Sequence, residues 1–90
     1  GLGYTSKLAN LDVYPNPSRD IFNVSFTSEE VQNVTIKVIN ILGVEVFSQP
    51  YLNVSTQFLE QIDLTNYSKA IYSLEIHSNS GILYRKIVLK

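Results

Sequence analysis

Apolar and polar residues alternate with a period of two along most of the chain, a pattern typical of β-strands with one face in a core. In "IFNVSF", for example, Phe22, Val24 and Phe26 share one face and polar residues occupy the other. The segments "VTIKVI" and "AIYSLEIHS" alternate in the same way, whereas "QFLEQIDL" does so less regularly. No segment has a helical period. With "LDVY" at the start and "ILYRKIVLK" at the end, the pattern predicts about seven short strands.

The fourth of these strands is the least certain from its pattern. In "GVEVFSQ" the alternation places Val44, Val46 and Ser48 opposite Glu45 and Phe47. The following "SQPYLNVST", residues 48–56, reads as the longest gap between strands.

Turn-forming residues fall between the other predicted strands. The asparagine and glycine of "NSG", residues 79–81, tolerate a tight hairpin and predict that the last two strands pair antiparallel. "NILG", residues 40–43, separates the third and fourth strands, and residues 64–69 form either an irregular loop or one helical turn. We therefore predict an all-β fold, an antiparallel, Ig-like β-sandwich spanning residues 10–90. Residues 1–9 read as a linker or a cloning remnant.

The segment "VYPNPSRD" has a clear local interpretation. Each proline moves the residue before it out of the helical region, so Tyr14 and Asn16 are expected to be extended. Asn16 is a favoured first residue and Pro17 a favoured second residue of a turn. Neither proline has an N–H to donate to a sheet. The segment is therefore expected to end the first strand and to turn the chain toward the second.

Composition excludes several classes of function. Seven basic and eight acidic residues among 90 create no strong field for nucleic acid or an anionic membrane. No apolar run approaches the ~18 residues that span a bilayer, and the N-terminus lacks a signal-peptide pattern. We expect a soluble domain with neither nucleic acid nor direct membrane insertion among its interactions.

Catalytic chemistry is also poorly represented. The chain has no cysteine and one histidine, His77, which lies on the predicted polar face of a strand and is expected to be solvated. The adjacent Glu29 and Glu30 lie in a predicted turn, with no apolar pocket nearby to raise a carboxyl pKa. We expect no enzyme activity, no metal and no cofactor.

Two further features each leave two interpretations open. Tyr51, Tyr67 and Tyr84 are candidates for an exposed sugar-stacking platform, although aromatic residues in so small a domain more often fill the core, as is expected for Tyr72. The basic segment "YRKIVLK" either protects an exposed sheet edge or serves as a terminal recognition tag.

Three motifs in order resemble a known family, the type A C-terminal sorting domain of the type IX (Por) secretion system of Bacteroidota. They are "VYPNPSRDIFNVSF", "VTIKVINILGVEV" and "IDLTNYSKAIYSLEIHSNSGILYRKIVLK", and the resemblance runs from about Leu11 to Lys90. The family usually has glycine where this chain has Ala70, so the turn there is expected to use another geometry or to accept strain. The residues that match the family's motifs are Pro15, Asn16, Pro17, Asn40, Gly43, Val46, Tyr72, Gly81, Lys86, Val88 and Lys90.

The resemblance implies a seven-stranded sandwich that serves as a C-terminal secretion signal. A cargo fused to its N-terminus would travel with it through the periplasm, and the type IX machinery would move both across the outer membrane to the surface or the medium. A sortase would then cleave in or before residues 1–10, releasing the cargo or anchoring it. We further hypothesise that "YRKIVLK" is an exposed terminal strand and forms part of a surface recognised by shape and by strand addition. The alternative is an Ig-like adhesive or spacer module that binds carbohydrate weakly.

Overall fold

Seven strands form two antiparallel sheets in the computed structural model, which describes residues 8–90. The first sheet has the order β1-β2-β5 and the second the order β4-β3-β6-β7. The predicted all-β sandwich is confirmed, and no helix occurs in residues 8–90. The strands are β1 (Leu8–Tyr14), β2 (Ile21–Ser28), β3 (Gln32–Asn40), β4 (Glu45–Val54), β5 (Gln57–Asp63), β6 (Ala70–Ser78) and β7 (Gly81–Leu89).

The N-terminal boundary can be described only in part. β1 begins at Leu8, whose side chain is buried, and Ala9 pairs with Thr27 of β2. Residues 1–7 of the predicted linker lie outside the described residues. Within residues 8–90, no helix is long and apolar enough to cross a membrane.

The core lies between the two sheets, and β2, β3 and β6 contribute alternate residues to it. On β2 the buried side chains are Phe22, Val24 and Phe26, as the period of two predicted. Phe26 stacks on Phe58 of β5 with ring centroids 4.4 Å apart, and the Tyr51 ring meets Phe58 edge-on at 5.0 Å. β3, β6 and β7 contribute further buried side chains, namely Val34, Ile36, Val38, Tyr72, Leu74, Ile76, Ile87 and Leu89.

β4 departs from its predicted pattern. It continues to Val54, through the segment that was expected to be a gap. Pro50 is tolerated there because β4 is an edge strand, where the missing N–H of proline breaks no hydrogen bond to a second neighbouring strand. Register shifts interrupt its pairing with β3 at both ends, so strict alternation fails. Val46 and Phe47 are consequently both half-buried, and Val44 is exposed. The predicted alternation of this segment, with Val44 and Val46 on the face opposite Phe47, was therefore wrong.

Loop 64–69 is irregular, one of the two predicted alternatives. It contains a turn in which the Tyr67 N–H donates to the Leu64 carbonyl at 3.0 Å, and it continues into β6 at Ala70. Ala70 pairs with Leu89 and is not among the residues with positive φ. Alanine therefore fits this position without the strain that was considered from sequence.

Candidate recognition surface

The strands give the sandwich two distinct ends. One end, called here the motif end, holds the last residue of β3, Asn40, which pairs with Tyr72, together with Leu89, which pairs with Ala70. The opposite end, the far end, holds the start of β1, where Leu8 pairs with Ser28, and the β6–β7 hairpin. The chain therefore enters the described sandwich at the far end.

The Pro-Asn-Pro segment binds the last strand at the motif end. The Asn16 Nδ2 donates to the Lys86 carbonyl at 2.9 Å, and the Val88 N–H donates to Asn16 Oδ1 at 3.0 Å. Ser18 then forms a parallel bridge with Leu89: its N–H donates to the Val88 carbonyl at 3.0 Å, and its carbonyl accepts from the Lys90 N–H at 2.9 Å. The segment ends β1 as predicted, but it also joins the first sheet to the edge of the second.

This contact changes the interpretation of the terminal strand. Asn16 and Ser18 form hydrogen bonds with the outward-facing main-chain groups of Lys86, Val88 and Lys90. The Arg85 guanidinium also donates to the Tyr84 carbonyl and, at 3.1 Å, to the Leu11 carbonyl of β1. The C-terminal half of the β7 edge is therefore already paired, and the expectation that "YRKIVLK" offers an open edge for strand addition was wrong. Edge protection is provided mainly by the chain itself.

The second motif, Asn40 to Gly43, forms a tightly bonded turn between β3 and β4. The Asn40 Oδ1 accepts from the N–H groups of Leu42 at 2.9 Å and Val44 at 3.0 Å. The Gly43 N–H donates to the Asn40 carbonyl at 2.9 Å, and Gly43 has a φ of 83°, which glycine adopts without steric cost. This turn holds Ile41 and Leu42 in solvent, with exposures of 80% and 82%.

Two neighbouring recesses lie beside this turn. One, of about 240 Å³, is lined by Ile41, Ile71, Tyr84 and Lys86 among others. The other, of about 560 Å³, also includes Ile41 and Ile71 and extends to the half-buried Tyr67. Together the two recesses and the turn are called here the motif-end surface.

The residues that match the family's motifs are mostly brought together at this end. Asn40 and Tyr72 line both recesses, Val46 lines the larger one and Lys86 the smaller one. Tyr72 is nearly buried, and its hydroxyl donates to the Ser68 carbonyl, so it anchors loop 64–69. Gly81 is the exception, because it lies in the β6–β7 hairpin at the far end with a φ of 136°.

Pro15 and Pro17 are exposed on either side of Asn16. Val88 is half-buried and pairs with Ile71, whereas Lys90 is exposed just beyond β7. These positions place the first and last motifs in direct contact, which no local pattern indicated.

Positive charge collects around the motif end. Lys69 Nζ donates to the main-chain carbonyl of Arg19 at 2.6 Å, and the Lys90 N–H donates to the carbonyl of Ser18, the residue before Arg19. Lys86 adds a further cation at the smaller recess. Within residues 8–90, none of these four cations forms an ion pair.

The carboxylates at this end are already occupied. Asp20 Oδ1 accepts from the Ile21 N–H at 2.6 Å, and Asp63 accepts from both the hydroxyl and the N–H of Thr65. These hydrogen bonds, that of the hydroxyl first, hold the pKa of Asp63 below its usual value. They stabilise the charged carboxylate without neutralising a cation.

His77 contributes no catalytic arrangement. Its ring is half-buried and its Nε2 lies 2.7 Å from Glu75 Oε1 on the outward face of the second sheet. Within the described residues, no other side chain hydrogen-bonds to the ring. The expected free solvation of His77 is therefore replaced by a contact with Glu75.

The geometry is that of a compact β-sandwich of two antiparallel sheets. The family model described as "Secretion system C-terminal sorting domain" matches residues 12–90, and the chain belongs to this family. The chain is therefore a C-terminal sorting signal of type IX secretion, which directs export to the cell surface or the extracellular space. The family is not an enzyme family.

Most of the chain is also similar to part of a longer protein. The chain is 27% identical over 81 residues, or 90% of its length, to a protein named ulvan lyase NLR42 from Nonlabens ulvanivorans. The match covers 14% of that relative. The chain thus spans a small part of the relative's length.

Proposed function

We propose that this domain carries a cargo fused to its N-terminus across the outer membrane, and that a surface sortase then removes the domain. The observation that carries the proposal is the meeting of separate sequence motifs at the motif end, where Asn16 joins Lys86 and Val88. A folded surface of this kind suits recognition by shape, since its parts come from segments far apart in sequence. Its partners are the type IX machinery and the sortase.

The position of the chain entry supports the cleavage step of this proposal. β1 begins at Leu8 at the far end, so the point at which preceding chain joins the described sandwich lies opposite the motif end. Cleavage before Leu8 would leave the sandwich intact, whereas cleavage at residues 8–10 would cut into β1 and remove the buried Leu8. The cargo would then be released or anchored at the surface.

The carbohydrate-binding alternative has less support. Of the three tyrosines considered for a platform, Tyr84 is exposed, but Tyr51 and Tyr67 pack against the core. Three coplanar exposed rings are therefore not available for sugar stacking.

The test is an export assay in a type IX-competent bacterium. Residues 1–90 are fused behind a signal peptide and a fluorescent protein, and the fluorescence of cells and medium is measured. Export that disappears in a translocon mutant supports the proposal, whereas equal retention in both strains contradicts it. In a strain lacking the sortase, mass spectrometry should find the fluorescent protein still joined to the domain.

Truncating the terminus is a poor way to test recognition. Removing residues 87–90 would delete Ile87 and Leu89, whose side chains are almost fully buried in the core. Such a deletion would unfold the sandwich and lose export for that reason alone. Substitutions of exposed side chains separate recognition from stability.

A further inference from the structure

The motif-end surface displays apolar side chains that a monomer of this size has no need to expose. Ile41 and Leu42 are the two most exposed large apolar residues described, and Ile71 and Tyr84 lie beside them, 47% and 68% exposed. Contiguous apolar surface of this kind marks interaction sites in soluble proteins.

The turn that carries the apolar pair is held rigidly. Asn40 uses its side-chain oxygen and both of its main-chain groups within the turn, in bonds of 2.9 to 3.0 Å. Ile41 and Leu42 are thus presented in one fixed arrangement before any partner arrives. Pre-organisation of this kind lowers the conformational entropy lost on binding.

Charge indicates the kind of partner. Arg19, Lys69, Lys86 and Lys90 surround the motif end, and the described residues provide no ion-pair partner for any of them. The nearby carboxylates of Asp20 and Asp63 keep their charge, but neither lines a recess, and Lys86 is the one charged residue among the lining residues of the two recesses. A complementary face would therefore bear carboxylates around an apolar centre.

Shape favours a protein over a lipid surface. The smaller recess is walled by Ile41, Tyr84 and Lys86, and the larger one by Leu42 and Tyr67. A side chain can enter such recesses, whereas a lipid surface would meet mainly the tips of their walls. Anchor side chains that fill pockets dominate the binding energy of protein interfaces.

The attachment point of a cargo also lies away from this surface. The described sandwich is 39 Å long, and the chain enters it at Leu8, at the far end. An N-terminal fusion therefore joins the described sandwich at the end opposite the motif-end surface.

We propose that the motif-end surface docks onto a protein of the secretion machinery whose face has apolar side chains bordered by carboxylates. The inference rests on the proposed sorting function and adds the surface and the chemistry of the partner. The motif-end surface lies opposite Leu8, the first described residue.

The test uses the export assay with matched substitutions in the same fusion. The double variant Ile41→Ser and Leu42→Ser should reduce export about tenfold or more, because loss of an interface anchor costs at least that factor in affinity. Its control is Leu52→Ser with Leu59→Ser, which removes two leucines of 71% and 61% exposure from elsewhere on the sandwich and should leave export unchanged.

A second pair of variants tests charge without altering apolar surface. Lys86→Gln and Gln57→Glu each change the net charge by one negative unit, the first at the motif end and the second at the start of β5. Reduced export for Lys86→Gln alone supports the proposal. Equal export for the two variants contradicts a role for Lys86 in binding carboxylates of the partner.

The outcomes distinguish this inference from the sorting function itself. Retention of the unaltered fusion would overturn the sorting function, whereas normal export of both the fusion and the Ile41, Leu42 variant would overturn only the docking surface. The purified domain is also mixed with vesicles of phosphatidylglycerol and phosphatidylethanolamine. Co-sedimentation that the double variant loses would assign the surface to a membrane and overturn the protein partner.

Discussion

Replacing Asn16 with alanine removes the side chain that ties the Pro-Asn-Pro segment to β7. The substitution eliminates the bond from Asn16 Nδ2 to the Lys86 carbonyl and the bond from the Val88 N–H to Asn16 Oδ1. The neighbouring bridge between Ser18 and Leu89 depends on main-chain atoms and remains possible. The variant therefore isolates the contribution of one side chain to the joint between the two sheets.

The expected magnitude follows from the number and exposure of these bonds. Each typical hydrogen bond contributes about 1 kcal/mol net, and Asn16 is exposed, so water partly replaces it in the variant. The free energy of unfolding should fall by about 1 to 2 kcal/mol. For a domain of this size the melting temperature should fall by about 5 to 10 °C.

The assay is thermal unfolding followed by circular dichroism, with amide hydrogen exchange measured by NMR. The Val88 amide should exchange faster in the variant because it loses its acceptor. The control is Asn66→Ala, because Asn66 is an exposed asparagine of loop 64–69 with no side-chain hydrogen bond to the described residues. If Asn16→Ala lowers the melting temperature no more than this control, and the exchange of the Val88 amide is unchanged, the two hydrogen bonds of the Asn16 side chain contribute no stability.

Three further predictions concern the turns. Gly43→Ala should lower the free energy of unfolding, measured by urea titration, by about 1 kcal/mol, because Gly43 has a φ of 83° that alanine adopts only with strain. Gly43→Asn should lower it less, because asparagine tolerates this backbone conformation better. Equal losses of stability in the two variants would contradict this explanation. Thr65→Val should raise the pKa of Asp63 in a carboxyl NMR titration, since it removes the hydroxyl donor. Because the pKa of Asp63 is lower in the folded state, the charged carboxylate stabilises the fold at pH values above its ordinary pKa of 3.8, and this stabilisation is lost as the pH falls through the lower folded pKa. The Thr65→Val variant should therefore be less stable than the parent at neutral pH but equally stable in strong acid. A difference in stability that stays constant with pH would refute this linkage. Ala70→Gly should destabilise by about 0.5 to 1 kcal/mol, because Ala70 needs no positive φ, and a gain in melting temperature would show that the turn is strained after all.

Much of the fold follows from local alternation. The inward faces of β2, β3 and β6 are readable because successive side chains of a strand point to opposite sides. Val24, Ile36 and Leu74 are all fully buried, as their positions in the pattern predict. The method fails on β4, where register shifts place both Val46 and Phe47 in half-buried positions and Pro50 is tolerated at an edge. Neither a bulge nor an edge position is encoded in the period of a single strand.

The candidate site was predictable only in its parts. The resemblance to the sorting-domain family identified Asn16, Asn40 and Lys86 as motif residues. Turn chemistry explained why asparagine and glycine suit the second motif. Nothing in the local sequence indicated that Ile41 and Leu42 would be held in solvent beside Lys86. That arrangement depends on β3 and β7 pairing with the same central strand, β6.

The sequence by itself therefore determined the kind of strand, the positions of most turns and the family to which the chain belongs. These properties depend on the chemistry of neighbouring residues and on the period of two. Only the tertiary structure decided that Asn16 bonds to Lys86 and Val88, which are 70 and 72 residues away. The physical reason is that burial of the core selects the order of strands in each sheet, and that order brings distant motifs to one end.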